Sequence, residues 1–293
     1  MLLIAGTIPV QDIPLTFGQV QADGDHLVVD GQRILCTQGT GAMISAALAT
    51  TSHLGLDAPH ALVAGDIGKG NGSRAIYSYL ADNITELAPK VLALHYWLPD
   101  MAQSKQLCEA VKKCDKRPIM IADAASMYSA KAAGLAEQFD IFTPDATEIA
   151  FLADPLATHP AYVQKHLFDT DITQTPNLVE AAYKNKSAAS LLLVKGYIDY
   201  IVKDGQIIET VSEPDVPALE AIGGTGDTIT GLVSAFAYAG MALHRAAILA
   251  TKVNRTAGKL AGVTPATKVS QLISAFPNVL KQHLSNWSNN SLS

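Results

Sequence analysis

The run Gly223-Gly224-Thr225-Gly226-Asp227-Thr228-Ile229-Thr230-Gly231 constrains this chain more than any other stretch. Within and after it, Ile229, Leu232, Val233, Phe236, Ala237 and Gly240 keep the i, i+3, i+4, i+7 spacing of a helix packed on a core. A glycine-rich turn therefore feeds straight into a buried helix. The first backbone N–H groups, at Thr225, Gly226 and Asp227, find no partner inside such a helix and lie at the positive end of its dipole, so the turn attracts anions. Asp227 opposes that attraction unless it has work of its own there, such as taking a proton. On their own, these residues also fit a plain tight turn with an ordinary first-turn acid.

Elsewhere, short apolar runs alternate with helical patterns. Buried strands are expected at 61–64, 91–94, 119–122, 139–142 and 190–194. Helices are expected over 42–52, 74–80, 101–113, 130–137, 178–184, 226–240, 243–262 and 268–284. Residues 1–35 look strand-rich, and Asp30-Gly31 and Asp204-Gly205 mark hairpin turns. Apolar strands of four or five residues between helices argue for a parallel sheet covered on both faces. No linker or repeat divides the chain, so residues 1–284 are read as one α/β domain. The Ser- and Asn-rich tail 285–293 is expected to be disordered. The irregular stretch 154–176, with its prolines, is expected to be an excursion or an oligomer contact.

Composition limits the partners. A net charge of −6 argues against nucleic acid or an anionic membrane. No apolar run reaches about 18 residues, and Met1–Gly6 lacks a basic leader, so neither a spanning helix nor a signal peptide is expected. Three cysteines without CxxC spacing fit a reducing cytoplasm and no zinc site. The eight histidines are scattered without HExxH spacing or a close pair, so none stands out as a ligand.

Ligands of parallel-sheet folds sit beyond the carboxyl ends of the strands. Those ends carry Gly39-Thr40-Gly41, Gly65-Asp66, Asp123, Thr143-Pro144-Asp145 and Lys195-Gly196. Gly39, Thr40, Asp66 and Asn71 are the candidates for contact with a substrate. The run 65–73 matches neither GxxxxGK[ST] nor GxGxxG and reads as a flexible strand-to-helix loop. Asp145 and Glu148 stand three apart at a helix start, one helix face carrying both carboxylates, where they are placed to hold hydrated Mg²⁺. The plainer account is a helix N-terminus that favours acids.

Together these features resemble the ribokinase-like superfamily, and most closely the branch with hydroxyethylthiazole and hydroxymethylpyrimidine kinases and the NAD(P)H-hydrate dehydratases. The resemblance rests on Ile222–Gly231. It is supported, in the family's order, by Ile121-Ala122-Asp123-Ala124, Phe142–Glu148 and Leu193-Val194-Lys195-Gly196, and runs from about residue 34 to 262. It implies a three-layer α/β/α sandwich with a mostly parallel central sheet. It also implies an anion hole at Gly224, Thr225 and Gly226, Asp227 as base, and a cation near Asp145 and Glu148, with Asp145 where the family has Asn. ATP or ADP would lie between Lys195-Gly196, the second hairpin and the helix bearing Asn254.

The dehydratases carry Gly-Pro-Gly-Leu-Gly where this chain has Leu94-His95-Tyr96-Trp97-Leu98-Pro99. Three bulky rings in place of glycines would fill the acceptor space. The expected function is therefore Mg²⁺- and nucleotide-dependent phosphoryl transfer to a hydroxyl of a small metabolite, in a cytoplasmic homo-oligomer that binds neither nucleic acid nor membrane. The alternatives are an ATP- or ADP-dependent NAD(P)H-hydrate dehydratase, which shares the first step, and a nucleotide-binding regulator without turnover.

Overall fold

The computed structural model describes residues 1–157 and 174–289. Its centre is Leu2–Ile8 (β1), where every residue is buried. Leu2 and Ile4 pack into one core while Leu3 and Ala5 pack into the other. A strand covered on both faces has no polar side to alternate with, so it reads as a continuous apolar run.

On one side β1 pairs in parallel with His60–Gly65 (β5), and on the other with Val91–Leu94 (β6). The parallel order continues through Ile119–Ala122 (β7), Ile141–Phe142 (β8) and Leu191–Val194 (β9). Antiparallel hairpins finish both edges. Thr16–Asp23 (β2), His26–Val29 (β3) and Gln32–Leu35 (β4) extend the sheet beyond β5, and Asp199–Lys203 (β10) with Gln206–Val211 (β11) extend it beyond β9. Both expected hairpins form on turns with positive φ, Asp30 at 46° and Gly31 at 78°, Asp204 at 50° and Gly205 at 83°. Paired positive φ values match the right-handed twist of the flanking strands.

One face of the sheet carries Thr40–His53 (α1), Thr225–Tyr238 (α7), Leu243–Ala261 (α8), Val269–Ser274 (α9) and Phe276–Asn289 (α10). The other carries Asn71–Leu87 (α2), Met101–Val111 (α3), Ala125–Ala132 (α4), Ala146–Ala153 (α5) and Thr175–Lys184 (α6). The result is the expected three-layer α/β/α sandwich. Among these helices none is long and apolar enough to cross a membrane. α1 and α7 meet through Gly231, where an added Cβ would lie 2.2 Å from the Met43 carbonyl oxygen.

The tail departs from expectation. Residues 285–289 continue α10 rather than unwinding, because Trp287 packs on the core and Arg245 donates to the Ser288 carbonyl at 3.0 Å. Helix α2 also starts three residues earlier and runs seven further than its periodicity suggests. The excursion expected at 154–176 falls largely on residues outside those described.

Candidate active site

The strand ends β6, β7, β8 and β9 line one cavity with the start of α7. There Gly224 caps the helix with φ 94°, and an added Cβ would stand 3.1 Å from Gln38 Cα and 3.2 Å from the Thr37 carbonyl oxygen. Only glycine fits. The Thr225 N–H donates to the Ile222 carbonyl at 3.3 Å, so it is not one of the free donors expected there. The N–H groups of Gly226 and Asp227 have no partner among the described residues, and together they make a mouth of free donors of the kind that suits an anion.

Asp227 is held from two sides. Gly39 N–H donates to Oδ2 at 2.7 Å, and His95 Nε2 donates to Oδ1 at 2.9 Å. Burial alone would push this carboxyl up. The hydrogen bond and charge of His95, the charge of Lys195 and the Gly39 N–H outweigh it and bring the group down to about 2. Asp227 is therefore a carboxylate at neutral pH, and its side chain keeps 18% of its surface open.

A second buried group lies beside it. Lys195 Nζ donates to both Asp123 oxygens, at 2.9 and 3.0 Å. Thr230 Oγ1 donates to Asp123 Oδ2 at 2.5 Å and bonds Thr143 Oγ1 at 2.9 Å. The lysine is thus committed to Asp123 rather than free to reach a phosphate; burial would lower it, but the Asp123 and Glu148 charges hold it above the ordinary lysine range. The lysine packs against Gly226, where a Cβ would stand 3.4 Å from Nζ. His95, Asp123 and Asp227 present ligand atoms within 4.8 Å of one another. That cluster already holds the Lys195 ammonium on Asp123 and pairs His95 with Asp227, so a metal there would compete with a fixed cation. Ala124, next in the chain, adopts φ 50°, a strained backbone of the sort that collects at functional sites.

Asp145 and Glu148 form a reciprocal capping box. Asp145 Oδ1 accepts from the N–H groups of Thr147 and Glu148, and Glu148 Oε2 accepts from Asp145 N–H, each at 2.8 Å. The plainer account of this pair holds, and it does not displace the other. One oxygen of each carboxylate has no protein donor among the described residues. Burial, then the charges of Asp145 and Asp123, push Glu148 well above the usual carboxyl range against the pull of Lys195. An acid in that position gains from a cation, so the pair fits hydrated Mg²⁺.

A cavity of about 770 Å³ brings together Asp145, Glu148, Lys195, Gly196, Gly224–Asp227 and Asn254. Asn254 Oδ1 accepts from Thr228 Oγ1 at 2.8 Å, which ties α8 to the first turn of α7. The Gly196 carbonyl accepts from Arg255 Nη2 at 2.8 Å, and the same guanidinium pairs with buried Asp199 at 2.7 Å.

The four expected substrate contacts lie outside that wall. Gly39 reaches Asp227 through its backbone. Thr40 is 1% exposed and bonds the Thr7 carbonyl at 2.8 Å and His95 Nδ1 at 3.1 Å, so it acts beneath the site. Asp66 accepts from the N–H groups of Gly68, Gly70 and Ser73 and from Ser73 Oγ, which fold its own loop over the start of α2. Those bonds outweigh burial and lower its pKa. Asn71 Oδ1 accepts from Arg74 at 2.6 Å. Both side chains are spent on local structure.

The three rings do not fill the acceptor space together. Trp97 is buried on the far side of the sheet against Tyr77, ring centroids 4.3 Å apart. His95 is fully buried behind Asp227. Only Tyr96, 53% exposed, stands on the cavity wall. His95 is the site residue that the sequence reading missed. Its signal was position: it follows directly on β6, at the same rim as Asp123 and Thr143.

A family model described as NAD(P)H-hydrate dehydratase matches residues 35–277. An uncharacterized protein of Methanocaldococcus jannaschii is 37% identical over 242 residues, 83% of this chain and 100% of that one. Among solved structures, the ADP/ATP-dependent NAD(P)H-hydrate dehydratase of Bacillus subtilis, co-crystallized with ATP/Mg²⁺, superposes with a TM-score of 0.54 at 16% identity, covering 96% of this chain and 90% of that one. The pyridoxal kinase of Staphylococcus aureus, in complex with pyridoxal, superposes with a TM-score of 0.53 at 13% identity, covering 88% and 87%. At such identities the structures speak for the fold.

Proposed function

The chain belongs to the NAD(P)H-hydrate dehydratase family, and on that footing we propose that it repairs hydrated nicotinamide cofactors at the expense of ATP or ADP. The family match over residues 35–277 carries the choice of substrate, and the phosphoryl-transfer step rests on Asp227, held ionised on the cavity wall beside two helix N–H groups that have no partner among the described residues. The hydrate's hydroxyl oxygen attacks the terminal phosphorus, its proton passes to Asp227, and the shorter nucleotide leaves. The Gly226 and Asp227 N–H groups stabilise charge growing on the phosphoryl oxygens. The C–O bond of the phosphate ester then breaks, phosphate departs, and loss of a proton from the neighbouring carbon restores the ring double bond. Mg²⁺, held by Asp145 and Glu148, would neutralise nucleotide charge, in keeping with the ATP/Mg²⁺ of the Bacillus relative.

The sequence favoured a simple kinase because three rings replaced glycines. With Trp97 in the core and His95 behind Asp227, that objection reduces to Tyr96. Tyr96 still favours a second reading, phosphoryl transfer to another small hydroxylated metabolite. The two differ in outcome: a dehydratase releases phosphate and regenerates NADH, whereas a kinase leaves a stable phosphate ester. Incubation with hydrated NADH and ATP or ADP, followed at the reduced-nicotinamide absorbance, decides between them. Nucleotide-dependent recovery that is lost in Asp227→Asn is expected, and no recovery with either nucleotide refutes the repair reading.

A further inference from the structure

Behind Asp227 runs a buried chain that the phosphoryl chemistry does not use. The Thr40 hydroxyl donates to the Thr7 carbonyl at 2.8 Å and meets His95 Nδ1 at 3.1 Å, and His95 Nε2 meets Asp227 Oδ1 at 2.9 Å. The members come from β1, the start of α1 and the end of β6, three elements that share no local sequence. His95 and Thr40 are 0% and 1% exposed, so neither touches a ligand in the cavity. Space has been made for them within the central strand. A Cβ on Gly6 would lie 2.6 Å from Thr40 Oγ1 and 3.1 Å from His95 Cβ. Glycine inside a strand costs stability, and a close approach by other groups is a usual reason for it.

An anion arriving at the start of α7 repels the carboxylate there. A free aspartate would swing away from it. Gly39 N–H restrains one oxygen, and the imidazole restrains the other from a buried position on the sheet. We propose that His95 is a positioning residue: it fixes Asp227 Oδ1 through Nε2–H, so that the carboxylate keeps its proton-accepting orientation when phosphate is bound. The inference rests on the reading of Asp227 as proton acceptor. It assigns a role to the residue that stands where the dehydratases carry a glycine run.

The test compares His95→Gln, which retains an amide donor, with His95→Leu, which fills the volume without one. Turnover of hydrated NADH and nucleotide affinity are measured for both, and for the double variant His95→Leu/Asp227→Asn. His95→Leu is expected to lower kcat about 100-fold, the effect of misplacing a reacting group by roughly 1 Å, with KM for nucleotide within about threefold. His95→Gln is expected to recover a large part of that loss. In the Asp227→Asn background His95→Leu should cost nothing further, because the two act as a unit. Wild-type kcat in His95→Leu overturns the proposal. So does a kcat loss that adds in the double variant, or one that tracks lost nucleotide binding, since either marks a merely structural histidine. A substrate-free arm separates this inference from the repair reading: the ring Nε2–H proton of His95, assigned by NMR through its absence in His95→Leu, should shift in Asp227→Asn. A shift without any hydrate repair supports the pairing and places the failure in the assigned reaction; no shift overturns the pairing itself.

Discussion

Asp227→Asn is the sharpest perturbation of this site. In the wild type both oxygens accept, Oδ2 from Gly39 N–H and Oδ1 from His95 Nε2. An asparagine offers one oxygen and one NH₂ group, so either amide orientation sets a donor against a donor. A buried donor left without its acceptor costs about 1–3 kcal/mol. An independent route gives a similar figure. The folded carboxyl sits at about 2 against an ordinary 3.8, and at 1.36 kcal/mol per pKa unit that depression is worth roughly 2 kcal/mol. Both routes count the same bonds, so they are not summed. Because the folded value is depressed, this stability is present above the ordinary carboxyl range and lost as pH falls through about 4 towards 2. Urea unfolding should therefore show the variant roughly 2 kcal/mol less stable at pH 7, with the gap closing on acidification. Turnover should fall by about two to four decades, the range for a positioned base. Nucleotide affinity should hold within a few fold, since removing a negative charge does not weaken an anion site. Turnover within tenfold of wild type would remove Asp227 from proton transfer, and collapse of nucleotide binding would recast it as part of the anion hole's scaffold.

Three further outcomes are expected. Glu148→Gln should weaken the dependence of activity on Mg²⁺ without unfolding the chain; identical Mg²⁺ titrations of the two proteins would refute the cation assignment. Gly231→Ala should destabilise by about 2–3 kcal/mol or more, measured by urea unfolding, because its Cβ would strike the Met43 carbonyl at 2.2 Å. Arg255→Met strands Asp199, 2% exposed, without its guanidinium, and should cost about 3–5 kcal/mol by the same measurement.

Much of this architecture is legible in the residues, and the failures have physical causes. The glycine run gave the start of α7 because backbone sterics admit only glycine at Gly224. The strands β5 to β7 and β9 were visible as apolar runs bounded by turns. The central place of β1 was not, since an apolar run marks a buried strand without saying where in the sheet it lies. Asp66 misled because a carboxylate that folds its own loop and one that holds a ligand have the same sequence signature, Gly-Asp after a strand. Asp145 and Glu148 form the capping box with one oxygen each and leave the other without a protein donor among the described residues, so one spacing suits both a cap and a cation site. His95 was hidden because its partners, Thr40 and Asp227, lie 55 and 132 residues away.

Two hydrogen-bonded chains support the mouth of α7, and both are anchored in the sheet. Thr143 and Thr230 steady Asp123, which holds Lys195 against Gly226. Thr7 and Thr40 steady His95, which holds Asp227. Groups fixed by strand ends keep their geometry while loops vary, because a packed sheet deforms less than a surface segment. The loop 66–73 and the turn 96–100 are joined by the bond from Leu98 N–H to Ser73 Oγ at 2.9 Å, and of the two only the turn, through Tyr96, reaches the cavity wall. A change at Tyr96 alters that wall without touching the groups that hold Asp227. For that reason the glycine run and its aspartate cannot by themselves distinguish a kinase from a dehydratase. Tyr96, the one ring of 95–97 on the cavity wall, is where the two readings make different demands.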